Sequence, residues 1–160
     1  MTMYAFGSGT LAAVPTVGTA VTFGALQDCS FDFSFTNKEL YGSNQFPLVV
    51  ARGTGKITGK AKFANIDAAL FNDLFFQGTK SVVGSTTSVV INNQLLGTTP
   101  FFQMTMTQTF GAKTLTVVLN KCTSSKLTMA TKLEDFNIPE FDFMAMADDN
   151  GVIGTVTVVS

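Results

Sequence analysis

Polar and apolar side chains alternate with a period of two along stretch after stretch, and that rhythm commits the chain to β-strands. From Asp28 to Thr36 the odd-numbered Cys29, Phe31, Phe33 and Phe35 point one way, and Asp28, Ser30, Asp32, Ser34 and Thr36 point the other. The aromatic side is expected to be core. From Thr54 to Phe63 the same rule places Thr54, Lys56, Thr58, Lys60 and Lys62 opposite Gly55, Ile57, Gly59, Ala61 and Phe63. Glycine in a strand interior marks a bulge or a close approach by another element, and the segment that follows is the expected neighbour.

That segment, residues 65–77, breaks the alternation and predicts a helix. Asn65 serves as N-cap, Asp67 sits in the first turn, and Gly78 stands where a C-cap glycine belongs. Ile66, Ala69, Leu70, Asp73 and Leu74 follow helical spacing, with Phe71, Phe75 and Phe76 widening the apolar stripe against a sheet. Alternation returns over Lys80–Asn92, Phe101–Phe110, Lys113–Lys121, Ser125–Leu133, Pro139–Ala147 and Gly151–Val159. Turn signals fall between these stretches, among them Thr123-Ser124 and a hairpin turn at Asp148-Asp149-Asn150-Gly151. The expected class is β-rich α+β: two packed antiparallel sheets in a sandwich or barrel, flanked by one helix. Residues 1–24, with only short apolar groups, read as an extended N-terminal arm. Residues 37–47 read as a long loop carrying Leu40, Tyr41 and Phe46, apolar groups that a solvated loop does not need.

At 160 residues the chain has the size of a single domain, 1–160. Only 13% of it is charged, against about 25% in ordinary soluble domains. Forty-six per cent is hydrophobic, and there are 16 Phe but no Trp and no His. A net charge of −1 does not supply the basic surplus that phosphate binding needs, and the hydrophobicity excludes a disordered tail. Without His the commonest general base and zinc ligand is missing. So sparse a charge leaves a lone subunit short of solubilising surface, which points to assembly. The uncharged first 27 residues lack the basic and continuous apolar regions of a signal peptide, and no run approaches the roughly 20 apolar residues of a membrane helix, so no membrane association is expected. Cys29 and Cys122 read as small apolar strand residues rather than a disulfide framework.

No catalytic constellation assembles from these residues, and neither enzyme activity nor a cofactor or metal is expected. Glu140 and Asp142 share one side of a strand about 7 Å apart, a spacing compatible with a divalent cation or acid–base work and equally with a solvated acidic face. Gly53-Thr54-Gly55-Lys56 lacks the first glycine of a phosphate loop and leads into a strand, not a helix. Nine of the ten bases lie between Lys38 and Lys126, whereas after Lys132 there are six acids and no base. Such a chain is suited to head-to-tail pairing with copies of itself.

Several runs carry a resemblance. Lys-Glu-Leu-Tyr-Gly (38–42), Phe-Pro-Leu-Val-Val-Ala-Arg-Gly (46–53), Lys-Ile-Thr-Gly-Lys-Ala-Lys (56–62) and Phe-Asn-Asp-Leu-Phe-Phe-Gln-Gly (71–78) resemble virion structural proteins of tailed phages. The end of the chain, 138–155, is similar to the closing hairpin of their tail tube (major tail) proteins. The resemblance implies two antiparallel sheets beside one helix, and hexameric rings whose inner sheets join into a barrel. Stacked rings form the DNA conduit of a tail, in a virion assembled in the host cytoplasm. It implies that 37–47, with Leu40, Tyr41 and Phe46, stacks ring on ring, and that the arm 1–24 reaches a neighbour. Partners are then copies of the chain, other tail proteins and DNA passing without sequence recognition. A conduit must let phosphate slide, so Glu140 and Asp142 are the candidate lumen-facing residues, with Lys56, Lys60 and Lys62 turned outward or toward an acidic neighbour. The alternatives are a head decoration or tail-completion protein, and a β-sandwich carbohydrate-active enzyme using the late carboxylates.

Overall fold

The alternating stretches pair antiparallel throughout a computed structural model, which describes residues 9–159 apart from positions 25, 44, 65, 66, 69, 77, 92–98, 131, 132, 134 and 136. The strands are β1 (Gly9–Pro15), β2 (Val21–Thr22), β3 (Leu26–Tyr41), β4 (Pro47–Phe63), β5 (Thr79–Val83), β6 (Thr86–Val90), β7 (Phe102–Phe110), β8 (Lys113–Thr128), β9 (Glu140–Met146) and β10 (Gly154–Val159). A π-helical segment, Leu70–Phe76, lies between β4 and β5. The N-cap expected at Asn65, with Ile66 and Ala69 of the helical stripe and residues 1–8 of the arm, lies outside the described residues. There are two antiparallel sheets, one large and one small, as the β-rich reading expected. The large sheet has the order β2-β1-β7-β8-β9-β4-β3, with β10 also on β8; β5 and β6 form the small one.

The large sheet curls so that its apolar side faces itself. Phe23, just past β2, packs edge-on to Phe63 of β4 at 5.0 Å and beside Phe141 of β9 at 5.5 Å, although four strands separate β2 from β4 in the sheet order. Phe102, Phe141, Phe143, Leu11, Met104 and Leu119 are buried in the same cluster, with Leu70 and Leu74 of the helical segment. At about 1.5–3 kcal/mol per large apolar side chain, this cluster holds the fold together.

The expected N-terminal arm is not an arm over its described part, 9–24. β1 pairs with β7 along seven residues, from Gly9↔Gln108 to Pro15↔Phe102, and Leu11, Ala13, Val21 and Phe23 are buried. Small apolar groups in a Gly- and Thr-rich segment are what a tight inner strand needs, and they resemble a linker only when read alone. Asp73 fixes the turn that follows. Its carboxylate is 6% exposed, accepts the Thr19 N–H at 3.1 Å and the Asn72 amide at 2.6 Å, and sits over Gly18, whose φ of 125° an L side chain rarely adopts.

Four other expectations change. The 37–47 loop shrinks to a tip, because β3 and β4 stay paired through Leu40↔Val49 to Tyr41↔Pro47. Thr123-Ser124 is no turn: β8 runs through it and only bulges between Ser124 and Lys126. Lys80–Asn92 is not one strand, since Gly84 at φ 61° turns the chain back on itself. The Asp148 turn closes no hairpin either. β9 and β10 both pair with β8, at Lys121↔Met146 and Leu119↔Gly154, so they lie end to end along it. The intervening residues loop out and are held by Asp148, whose carboxylate accepts the N–H groups of Asn150 and Val152, both at 2.9 Å, and the Asn120 amide. These bonds, that from Val152 foremost, hold the Asp148 carboxyl below its usual range.

Both cysteines are free thiols. Burial pushes Cys122 up to about 12; burial, with the Asp28 charge adding to it, pushes Cys29 up to about 11. At pH 9 an unfolded thiol is roughly half ionised, Cys29 roughly one part in a hundred and Cys122 roughly one in a thousand. Alkylation by iodoacetamide at pH 9 is therefore expected to run at least about 50-fold slower in the native protein than in urea, and equal rates would contradict these burials. Because both folded values lie above the unfolded one, the stability they contribute is complete below about pH 9 and is lost as pH rises through 11 to 12.

Candidate assembly surface

β3 and β4 outrun the sheet that supports them. Pairing of β4 with β9 ends at Ile57↔Ala145, whereas β3 and β4 continue as a two-stranded ribbon to Tyr41↔Pro47. Such a ribbon is at best marginally stable in water by itself. This one is apolar: Phe46 at its tip is 79% exposed, and Leu40, Tyr41, Leu48, Val49 and Val50 are all more than half exposed. Contiguous apolar surface of this kind marks a contact site. The structure thus brings the sequence candidates Leu40, Tyr41 and Phe46 together at the end of one ribbon. The Tyr41 hydroxyl donates to the Glu39 carboxylate, which holds that hydroxyl above its usual range.

The ribbon's root explains why the aromatic side of β3 is core only in part. Phe31 packs edge-on to Phe143 at 5.5 Å, whereas Phe33 stands in the last row that β4 shares with β9, beside Ile57 and Ala145, and Phe35 lies beyond it; both are half-exposed. Phe35 lies over Gly55 and under the Arg52 guanidinium, 4.6 Å from its ring centroid. The strand glycines do mark close approach, by these rings rather than by the helical segment. A Cβ on Gly59 would lie 2.3 Å from the Phe143 ring.

Glu140 and Asp142 occupy the outer side of β9, and Lys60 and Lys62, expected outward or toward an acidic neighbour, share that side with them. Register sets Lys60 opposite Asp142 and Lys62 opposite Glu140. The Lys60 ammonium lies 3.1 Å from Glu140 and 3.8 Å from Asp142, and Lys62 lies 3.8 Å from Glu140. The hydrogen bond from Lys60 holds the Glu140 carboxyl below its usual range and the Lys60 ammonium above its own. Lys121 likewise meets Asp149 at 3.2 Å. Three of the late acids, Glu140, Asp142 and Asp149, are therefore matched by bases from the middle of the chain. Alternation tells which way each residue points, but only strand order reveals that β4 and β9 are neighbours. Among the described residues no three His, Cys, Asp or Glu side chains gather closely enough to hold a metal ion.

Open strand edges complete the surface. Among the described residues β3 ends the large sheet, β10 has a partner only on its β8 side, and β5–β6 forms a separate sheet with nearly every residue exposed. No protein-family model and no curated protein matches the chain in sequence. Solved structures do match in shape. A chain from the anti-feeding prophage cap, described as the tube terminating cap, superposes with a TM-score of 0.60 at 12% identity over 99% of this chain and 95% of that one. A chain of the PVC sheath–tube complex, an extracellular contractile injection system in its extended state, gives 0.56 at 13% over 93% and 88%. A chain from the sheath/tube terminator of the same system gives 0.56 at 14% over the full length of both. The likeness is one of fold: chains of similar fold occur in the assemblies of contractile injection systems.

Proposed function

We propose that the protein is a structural subunit of a phage tail tube, assembling with copies of itself into stacked, hexameric rings that enclose a conduit for DNA in the virion. The observation that carries this reading is the β3–β4 ribbon, an apolar projection that a solitary subunit has no use for. The open edges of β3 and β10 support it, because joining edges across subunits removes templates for uncontrolled pairing. The neighbours in a sheath–tube complex, a tube terminating cap and a sheath/tube terminator support it at the level of fold. In the ring the side of the sheet bearing Glu140 and Asp142 faces the lumen, now with Lys60 and Lys62 beside them. Charges compensated in this way neither hold nor strongly repel phosphate, as passage requires. Leu40, Tyr41 and Phe46 stack one ring on the next.

Likeness to a tube terminating cap and a sheath/tube terminator favours a second reading, a tail-completion subunit that forms one ring and does not propagate. Electron microscopy of the purified protein separates the two. Hollow tubes of variable length are expected, single closed rings at every concentration would favour the completion role, and a dispersed monomer at high concentration would overturn both.

A further inference from the structure

Four strands, β3-β4-β9-β8, carry one polar outer side, and its charges run in columns. Asp32 marks β3, Lys60 and Lys62 mark β4, Glu140 and Asp142 mark β9, and Lys126 marks β8, where it stands opposite Asp142. The order is acid, base, acid, base. Inside the chain each column has an opposite neighbour, and only the two outer columns end on open edges.

Among the described residues both outer edges are free where it matters. β3 is the last strand of its sheet, and Asp32 is exposed. β7 leaves β8 after Phe102↔Cys122, the helical segment touches β8 at Ser124 through the Leu74 carbonyl, and beyond that Ser125, Lys126 and Thr128 are exposed. Among the described residues neither Asp32 nor Lys126 has an ion-pair partner within 4.0 Å. Direction fits as well as charge. Four strands each antiparallel to the next leave β3 and β8 running oppositely. A second copy, rotated about an axis along the strands, therefore brings its β3 antiparallel to this β8.

We propose that in the assembly the edge of β8 beyond Ser124 joins the edge of β3 of a second copy, with Lys126 facing Asp32 across the junction. The contact is heterologous, as ring closure needs, and it continues the acid–base alternation without a break around the ring. It rests on the ring reading above and specifies which edges meet and what selects them. Exposed opposite charges add little affinity, but like charges brought together at a junction are strongly disfavoured, so the pair acts mainly as a register lock.

The test uses Lys126→Glu and Asp32→Lys, separately, as the double swap, and as a 1:1 mixture of the two single variants, with assembly followed by sedimentation and electron microscopy. Circular dichroism checks that each variant is folded. Each single variant is expected to raise the concentration needed for assembly at least about tenfold, since its junctions set like charges face to face. The double swap is expected to restore assembly. So is the mixture: when the two variants alternate, the introduced glutamate of one meets the introduced lysine of the other, and the next junction keeps the native Lys126 and Asp32. Rescue by mixing cannot arise from a contact within one chain. If wild type assembles and the single variants match it, or if they fail and neither swap nor mixing restores them, the junction is wrong while the ring reading stands. If wild type itself does not assemble, both are lost.

Discussion

A subunit carrying Leu40→Thr, Tyr41→Thr and Phe46→Ser is expected to fold normally and to lose its growth into tubes. Threonine keeps the strand preference at the two paired positions, and all three side chains are more than half exposed, so nothing in the core is disturbed. Exposed substitutions of this kind usually change stability by within about 0.5 kcal/mol each, so three together should move the melting temperature by no more than about 6 °C. Burial at a contact is worth about 1.5–3 kcal/mol for each large apolar side chain. Three such losses at the lower figure come to about 4.5 kcal/mol, or roughly a thousandfold in the affinity of one subunit for the next. Sedimentation velocity with a parallel thermal melt checks both halves. Tubes growing at the wild-type concentration would remove the ribbon tip from the stacking contact, and an unfolded monomer would show that the tip belongs to the core.

The second large effect lies inside. Gly59→Ala is expected to destabilise the protein by about 2–3 kcal/mol, because its Cβ would lie 2.3 Å from the Phe143 ring, which is 1% exposed and packed in the core. For a chain of this size that is a fall of roughly 5–10 °C in melting temperature. Phe143→Leu is destabilising by itself but removes the obstacle. In the double variant the two costs should therefore not add, with a coupling of at least about 1 kcal/mol. A Gly59→Ala protein melting within about 2 °C of wild type, or strict additivity, would mean that the ring does not pin β4 to β9.

These two sites mark the boundary of what the sequence discloses. Alternation at 28–36 and 54–63 assigns faces, and the faces are right: Phe31, Ala61 and Phe63 point inward, and Asp32 and Lys60 outward. A period of two carries no information about which strand lies alongside. That is why the sequence separates Glu140 and Asp142 from Lys60 and Lys62, and why it suggests a hairpin between β9 and β10 where both lie on β8. Length is legible only where a turn residue stops a strand, so Asn37–Tyr41 resembles loop until cross-strand partners such as Val49 and Val50 are supplied. Residues 9–24 mislead because a strand packed tightly inside a curled sheet needs small side chains, which also mark a linker. Asp73 reads in sequence as one more position on a helical stripe. Its part in pinning the turn at Gly18 and Thr19 depends on a contact 54 residues away in the chain.

β8 belongs to both halves of the curled sheet. Its first half is flanked by β7 and β10 and its second by β9, and the strand runs unbroken from one to the other. Neither half can therefore open while the other stays closed, because freeing either means stripping the same strand. Partial unfolding is expected first in the parts that lie farthest from β8 and the buried cluster, the distal ribbon and the β5–β6 hairpin, whose amide protons should exchange ahead of the rest. A subunit built this way can reshape its contact surfaces on joining neighbours and still arrive with an intact body.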